Sequence, residues 1–266
     1  MRGILFLVLF LTATAATPQT KPFSHVLLDQ VLQAHVDSAG MVDYPALKAS
    51  RAMLDAYVDS LGKVSPRNHP ERFPTRHHEL AYWINAYNAS VLRGVVDAYP
   101  VASVKDIMPL GGFFSRKKFT AGGQELTLND MENEIIRPLY QDPRIHFAVN
   151  CGARSCPPLQ QRAFAGEDLD ACLEKVLERF ARNPQLVRLD YGNGQLQLSK
   201  ILEWYGEDFI KWFPQDRNSA PANPTLVDYL LPYLPAEMAS YLRQYPELRV
   251  TYDDYDWALN AQSPSP

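Results

Sequence analysis

Cysteine is scarce in this chain: three among 266 residues, at positions 151, 156 and 172. A set that small and odd in number argues against a disulfide framework and leaves at least one thiol free. Long apolar runs are scarcer. Beyond the first twenty residues no stretch approaches the roughly 18 apolar residues a membrane-spanning helix needs, so no integral membrane association is expected once the N-terminal segment is removed. A one-sided charge is missing too: 26 Lys and Arg are interspersed with 30 Asp and Glu, for a net charge of −4. With no basic stripe, zinc-finger spacing or RNA-binding sheet signature, nucleic acid is not expected as a partner. Neither H-E-x-x-H nor C-x-x-C occurs, so neither a metal site nor a thioredoxin-like motif is expected. His69, His77 and His78 lie in or beside the proline-punctuated connector "VSPRNHPERFPTRHHE" and read as solvated loop histidines. No cofactor signature stands out.

What is present begins with "MRGILFLVLFLTATAATPQT". One basic residue, an apolar run from Ile4 to Leu11 and small residues through Ala15 have the three-part form of a secretory signal peptide. Cleavage is expected after Ala15 or Ala16, giving an exported protein, periplasmic or secreted. Residues 17–260 then form one expected domain, and "AQSPSP" at 261–266 a disordered tail.

The pattern from Phe23 to Leu61 is helical. The longest helical pattern follows, "RHHELAYWINAYNASVLRGVVDAYP", stopped by Pro100. Leu80, Ile84, Tyr87, Val91 and Val95 share a stripe, and apolar residues cover most of the circumference, which describes a helix buried on several sides. Asn85 and Asn88 sit inside it; buried amides need partners, either neighbouring backbone or a site. "KFTAGGQELTLNDMENEII" reads as a hairpin turning at Gly122-Gly123, followed by a helix capped by Asn129 with Glu132 completing a capping box. Later come a helix containing Cys172, a hairpin turning at Gly192-Asn193-Gly194, a helix in "KILEWYGEDFIKWF" and a strand-like "RVTYDDYDWALN". The class is α+β, with a helical N-terminal part and a buried central helix packed on a small antiparallel sheet.

"RIHFAVNCGARSCPPL", residues 144–159, concentrates the chemistry. Read as a strand, "RIHFAVN" sends His146, Ala148 and Asn150 to one face and Phe147, Val149 and Cys151 to the other. A turn at Gly152 could still bring His146 and Cys151 together. Cys151 and Cys156, five residues apart, suit a catalytic thiol with its activating neighbour, a structural disulfide in an exported protein, or inert cysteines.

The stretches "AYWINAYNASVLRGVV", "LTLNDMENEIIRPLY", "DPRIHFAVNCGARSCPPL", "LSKILEWYGEDF" and "YDWALN" together resemble the family called domain of unknown function 547, across nearly all of the mature chain and in the expected order. The resemblance implies a class, not a reaction. A second, fold-level resemblance is to papain-like and transglutaminase-like proteins, with "WINAYNASVL" similar to their buried helix and "HFAVN" similar to the strand that carries their histidine. It implies His146 as base and places Asn85 or Asn88 where those proteins have cysteine.

Three functions follow as expectations. One is a cysteine-dependent enzyme acting on amide or thioester bonds, with Cys151 as nucleophile, His146 as base, Asn85 or Asn88 orienting the histidine or donating to an oxyanion, and Glu132 an additional carboxylate. Trp83, Tyr87, Asn150, Arg154 and Ser155 would contact its substrate. The second is a non-catalytic binding module holding a peptide or small molecule with "YWINAYN", Phe113, Phe114, Trp204 and Tyr205, braced by a Cys151–Cys156 disulfide. The third is a thiol–disulfide redox protein in which that bridge cycles.

Overall fold

A computed structural model describes residues 20–213 and 221–263. The expected signal segment and the end of the tail lie outside the described residues. Eleven α-helices are described: α1 Val26–His35, α2 Tyr44–Ala49, α3 Ala52–Lys63, α4 Arg76–Ala98, α5 Gly112–Ser115, α6 Arg137–Tyr140, α7 Leu169–Ala181, α8 Lys200–Trp204, α9 Gly206–Lys211, α10 Leu226–Leu230 and α11 Ala236–Gln244. Five short strands accompany them: β1 Phe119–Ala121, β2 Gln124–Leu126, β3 Val187–Asp190, β4 Gln195–Leu198 and β5 Arg249–Tyr252. With about 49% of the described residues in helices of all kinds and 11% in strands, the fold is α+β.

α4 is the axis of the core. Thr75 starts it by accepting the His78 backbone N–H, and every residue from Leu80 to Val96 except Arg93 is buried. Such a helix cannot face water on any long side, and α2, α3, α7 and the helical segment at Asp130–Ile136 enclose it. The expected packing of this helix on an antiparallel sheet is thus replaced by packing among helices. The two sheets are peripheral. β1 and β2 form a hairpin against α3, while β3 pairs antiparallel with β4 and β4 pairs parallel with β5.

The segment Pro143–Phe147 is a 3-10 turn and not the expected strand. Pro143 sits at its first turn, where a missing N–H costs nothing, and the Asp142 side chain caps it by accepting the Arg144 N–H. Its short apolar run carries no period long enough to separate turn from strand. His146 therefore does not head a strand, as the papain-like comparison requires.

After β5 the chain becomes a stitch. Ala258 bridges Ser103, Leu259 bridges Ala153 and Ala261 bridges Val42. Gln262 donates its backbone N–H to Val42 and its side-chain amide to the His35 and Met41 carbonyls. Ala261 and Gln262, expected at the head of a disordered tail, are thereby held in place.

Candidate functional site

One cleft gathers most of the chemistry-bearing side chains. It has room for a small ligand, about 160 Å³, and is lined by residues from α4, the Asp130–Ile136 segment, the 3-10 turn, the cysteine loop, α8 and the C-terminal stitch.

Asp130–Ile136 is a π-helix, leading directly into α6. Arg137 donates its backbone N–H five residues back, to the Glu132 carbonyl, and Pro138 cannot donate to Glu134 at all. Wide turns of this kind often occur at functional sites. The helical run that contains it is capped two residues earlier than expected. Thr127 Oγ1 accepts the Asp130 N–H at 3.0 Å, and Asp130 Oδ2 accepts the Thr127 N–H at 2.8 Å. That reciprocal box belongs to Thr127 and Asp130, and Asn129 makes no cap. Glu132 is therefore free of the structural duty expected for it. It lies 8% exposed in the cleft and accepts the Tyr205 hydroxyl at 2.6 Å. Tyr87, Tyr205 and Tyr255 all have hydroxyl pKa values pushed up, by burial first and then by the Glu132 charge. Glu132 is the hub of three tyrosines.

His146, 2% exposed, stacks on Tyr205 with ring centroids 3.9 Å apart. Its Nε2 lies 2.8 Å from Asp208 Oδ2, and the same oxygen accepts Arg137 Nε at 2.7 Å. Burial raises the Asp208 carboxyl, but the hydrogen bonds from His146 and Arg137 outweigh it and hold its pKa down to about 2. An ionised carboxylate only accepts, so Nε2 must donate. Burial lowers the His146 pKa and keeps the ring neutral, overcoming the opposing pull of Asp208 and Glu132. Nδ1 is consequently a lone-pair acceptor, and it has no donor among the described residues.

Cys151 and Cys156 are joined as a disulfide in the cleft wall. The Tyr255 hydroxyl covers it, 3.2 Å from Cys151 Sγ and 3.1 Å from Cys156 Sγ. Trp204, Tyr255 and Trp257 cluster beside it with centroids 4.6–5.8 Å apart. Gly152, at φ +83°, makes the turn within the loop; a Cβ there would meet Val104 at 3.0 Å and Val91 of α4 at 3.2 Å.

The expected site residues divide. Cys151, His146, Glu132 and Tyr87 share the cleft, as do Phe114, Trp204 and Tyr205, whereas Asn85 and Asn88 do not line it. Asn85 exchanges both amide bonds with the Phe164 backbone, at 2.7 and 3.0 Å. Asn88 donates to the Ala148 carbonyl at 3.0 Å and accepts the Asn150 N–H at 2.8 Å. Both amides brace loops onto α4, outside the cleft where an oxyanion or His146 would need them. Trp83 is buried against Tyr82, away from the cleft. Asn150 is buried, bonded to Pro157, Gly152 and Asn260. Ser155 and Arg154 pair with the C-terminal stitch through Asp256 and Ala258, and Phe113 is core. Asp208, Asn133, Tyr255 and Trp257 went unrecognised in the sequence; the available signal was the adjacency of acids and aromatics in "EWYGED" and "YDDYDW". Among the described residues no group of His, Cys, Asp and Glu could hold a metal ion, and no helix is long and apolar enough to cross a membrane.

No curated protein and no solved structure matches the chain. A family model does, over a span that includes the central helix, the π-helix, the 3-10 turn and the cystine loop, and ends before Asp208 and the aromatic wall. Residues 71–181 match the model of the family described as protein of unknown function, DUF547.

Proposed function

We propose that the protein is an exported binding module whose cleft holds a small molecule or a peptide side chain, with Cys151–Cys156 as a structural cross-link of the cleft wall. The bridge carries this reading: a sulfur already bonded to sulfur is not a thiolate and cannot attack a substrate. The aromatic wall supports it, because apolar rings around a few converging polar groups are what small-ligand clefts offer. Export rests on the N-terminal segment and agrees with a disulfide, which persists in oxidising compartments. Peptide mapping without reductant, on protein recovered from the medium or periplasm, is the test. It should return a mature N-terminus near Ala16 and a Cys151–Cys156 linked peptide that iodoacetamide does not label. Free thiols at both positions in the exported protein would overturn the reading.

A second reading, a cysteine-dependent hydrolase or transferase, is favoured by His146, which lines the same cleft as Cys151 and is backed by the buried Asp208. Its base would be His146 and its orienting carboxylate Asp208, with the thiolate present only after reduction. After mild reduction, rapid labelling of Cys151 near neutral pH, suppressed in His146→Ala, would support it. A reduction potential below about −300 mV would instead mark the bridge as structural.

A further inference from the structure

The charges around the cleft are unbalanced. Fourteen side chains line it, and among them Glu132 is the acid, with no Lys or Arg. Arg137 feels the Glu132 charge from outside the lining, but its hydrogen bonds are committed elsewhere: its Nε goes to Asp208 and its Nη1 to Asn133 Oδ1 at 2.6 Å. Asn133 is committed as well, since its Nδ2 donates to Asn129 Oδ1 at 2.9 Å. His146 contributes a neutral ring. A buried carboxylate facing a low-dielectric, aromatic-lined space attracts a cation more strongly than the same group in water does.

Two further features narrow the cation. Six aromatic residues line the cleft, and ring faces hold organic cations. Tyr205 is occupied on its faces by the His146 ring and by Arg137, while Lys105 Nζ already lies 4.3 Å from the Trp257 centroid. Among the described residues, Trp204 and Tyr255 carry no such cation. His146 Nδ1 then adds a buried acceptor without a donor among the described residues. A quaternary ammonium has no N–H for it; an alkylammonium has three.

We propose that the cleft takes a primary alkylammonium group, donating to the Glu132 carboxylate and to His146 Nδ1, with its charge and stem against the Trp204 and Tyr255 rings. The ligand class is the terminal amine of a lysine side chain or of an aliphatic diamine. This assignment rests on the binding reading above and names its substrate.

The test is titration of the intact oxidised protein, followed by calorimetry and by tryptophan fluorescence, with four probes: n-pentylamine, n-pentanol, hexanoate and tetramethylammonium. Pentylammonium should bind at least about tenfold tighter than each of the other three. Glu132→Gln should erase that preference. Trp204→Ala, at a side chain whose residue is 45% exposed, should weaken pentylammonium binding by about threefold or more with the melting temperature unchanged. Equal binding of pentanol and pentylammonium, or full affinity in a folded Glu132→Gln protein, overturns the proposal. Binding of pentanol or hexanoate alone overturns it and leaves the binding reading standing. No binding of any probe at tens of millimolar, about the weakest affinity such fragments show, sinks both.

Discussion

Asp208 Oδ2 accepts from two residues at once, the His146 imidazole and the Arg137 guanidinium, and that sharing sets the protonation of the whole cluster. It also sets a pH dependence for the fold. His146 is held neutral by burial, and burial lowers the His25 pKa to about 4. In the unfolded chain each takes up a proton near pH 6.5, so acidification favours unfolding. The stability these two contribute is complete about a unit above pH 6.5 and is lost as pH falls through that value, for His25 down to about 4. Asp208 opens a second, lower window. Its carboxyl titrates at about 2 when folded and about 3.9 when not, so its contribution disappears as pH falls from about 4 to 2. Urea unfolding at pH 8.5, 7.5, 5.5 and 4.5 should show a nearly constant midpoint across the first pair and then a decline worth about 1–3 kcal/mol. Replacing His25 with Gln should flatten part of that decline. A midpoint that climbs on acidification would contradict these assignments.

At the scale of elements, the π-helix decides what Glu132 can do. Two overlapping capping signatures stand in "TLNDME": Thr127-x-x-Asp130 and Asn129-x-x-Glu132. Each satisfies the same rule, so their order along the chain does not rank them. The fold selects the first, because β2 ends at Leu126 and Thr127 is the residue that leaves the hairpin. Thr127→Ala should therefore cost about 1–2 kcal/mol in thermal or urea unfolding, as lost N-caps do, while Asn129→Ala should stay within about 0.5 kcal/mol. The reverse ranking would return Glu132 to a purely structural role. Elsewhere the elements were legible. The Leu80–Val95 stripe and Pro100 mark α4, and the Gly-containing turns mark both hairpins. "RIHFAVN" was not legible, because six or seven mostly apolar residues satisfy a buried turn as well as a strand.

At the scale of the molecule, the C-terminal stitch joins parts of the chain far apart in sequence. Leu259 crosses the cystine loop, Asn260 accepts the Tyr44 hydroxyl at 2.7 Å, and Tyr255 and Trp257 complete the cleft wall. Gly40, at φ +84°, lets the Pro158-Leu159 backbone pass within 2.8 Å of where its Cβ would stand. Ending the chain after Tyr252 should lower the melting temperature by more than about 10 °C and abolish near-ultraviolet aromatic ellipticity, with both read by circular dichroism. An unchanged melt would show that the stitch is dispensable. The sequence alone determined the class, the central helix, the two hairpins and the presence of histidine and cysteine in one short stretch, since each is written in local spacing. Only the tertiary structure decided that Asp208 stands behind His146, that Tyr205 and Tyr255 cover Glu132 and the cystine, and that the two asparagines serve the backbone. These partners lie 60 or more residues apart, and no period along a chain encodes which distant side chain will fill a given space once the core has packed.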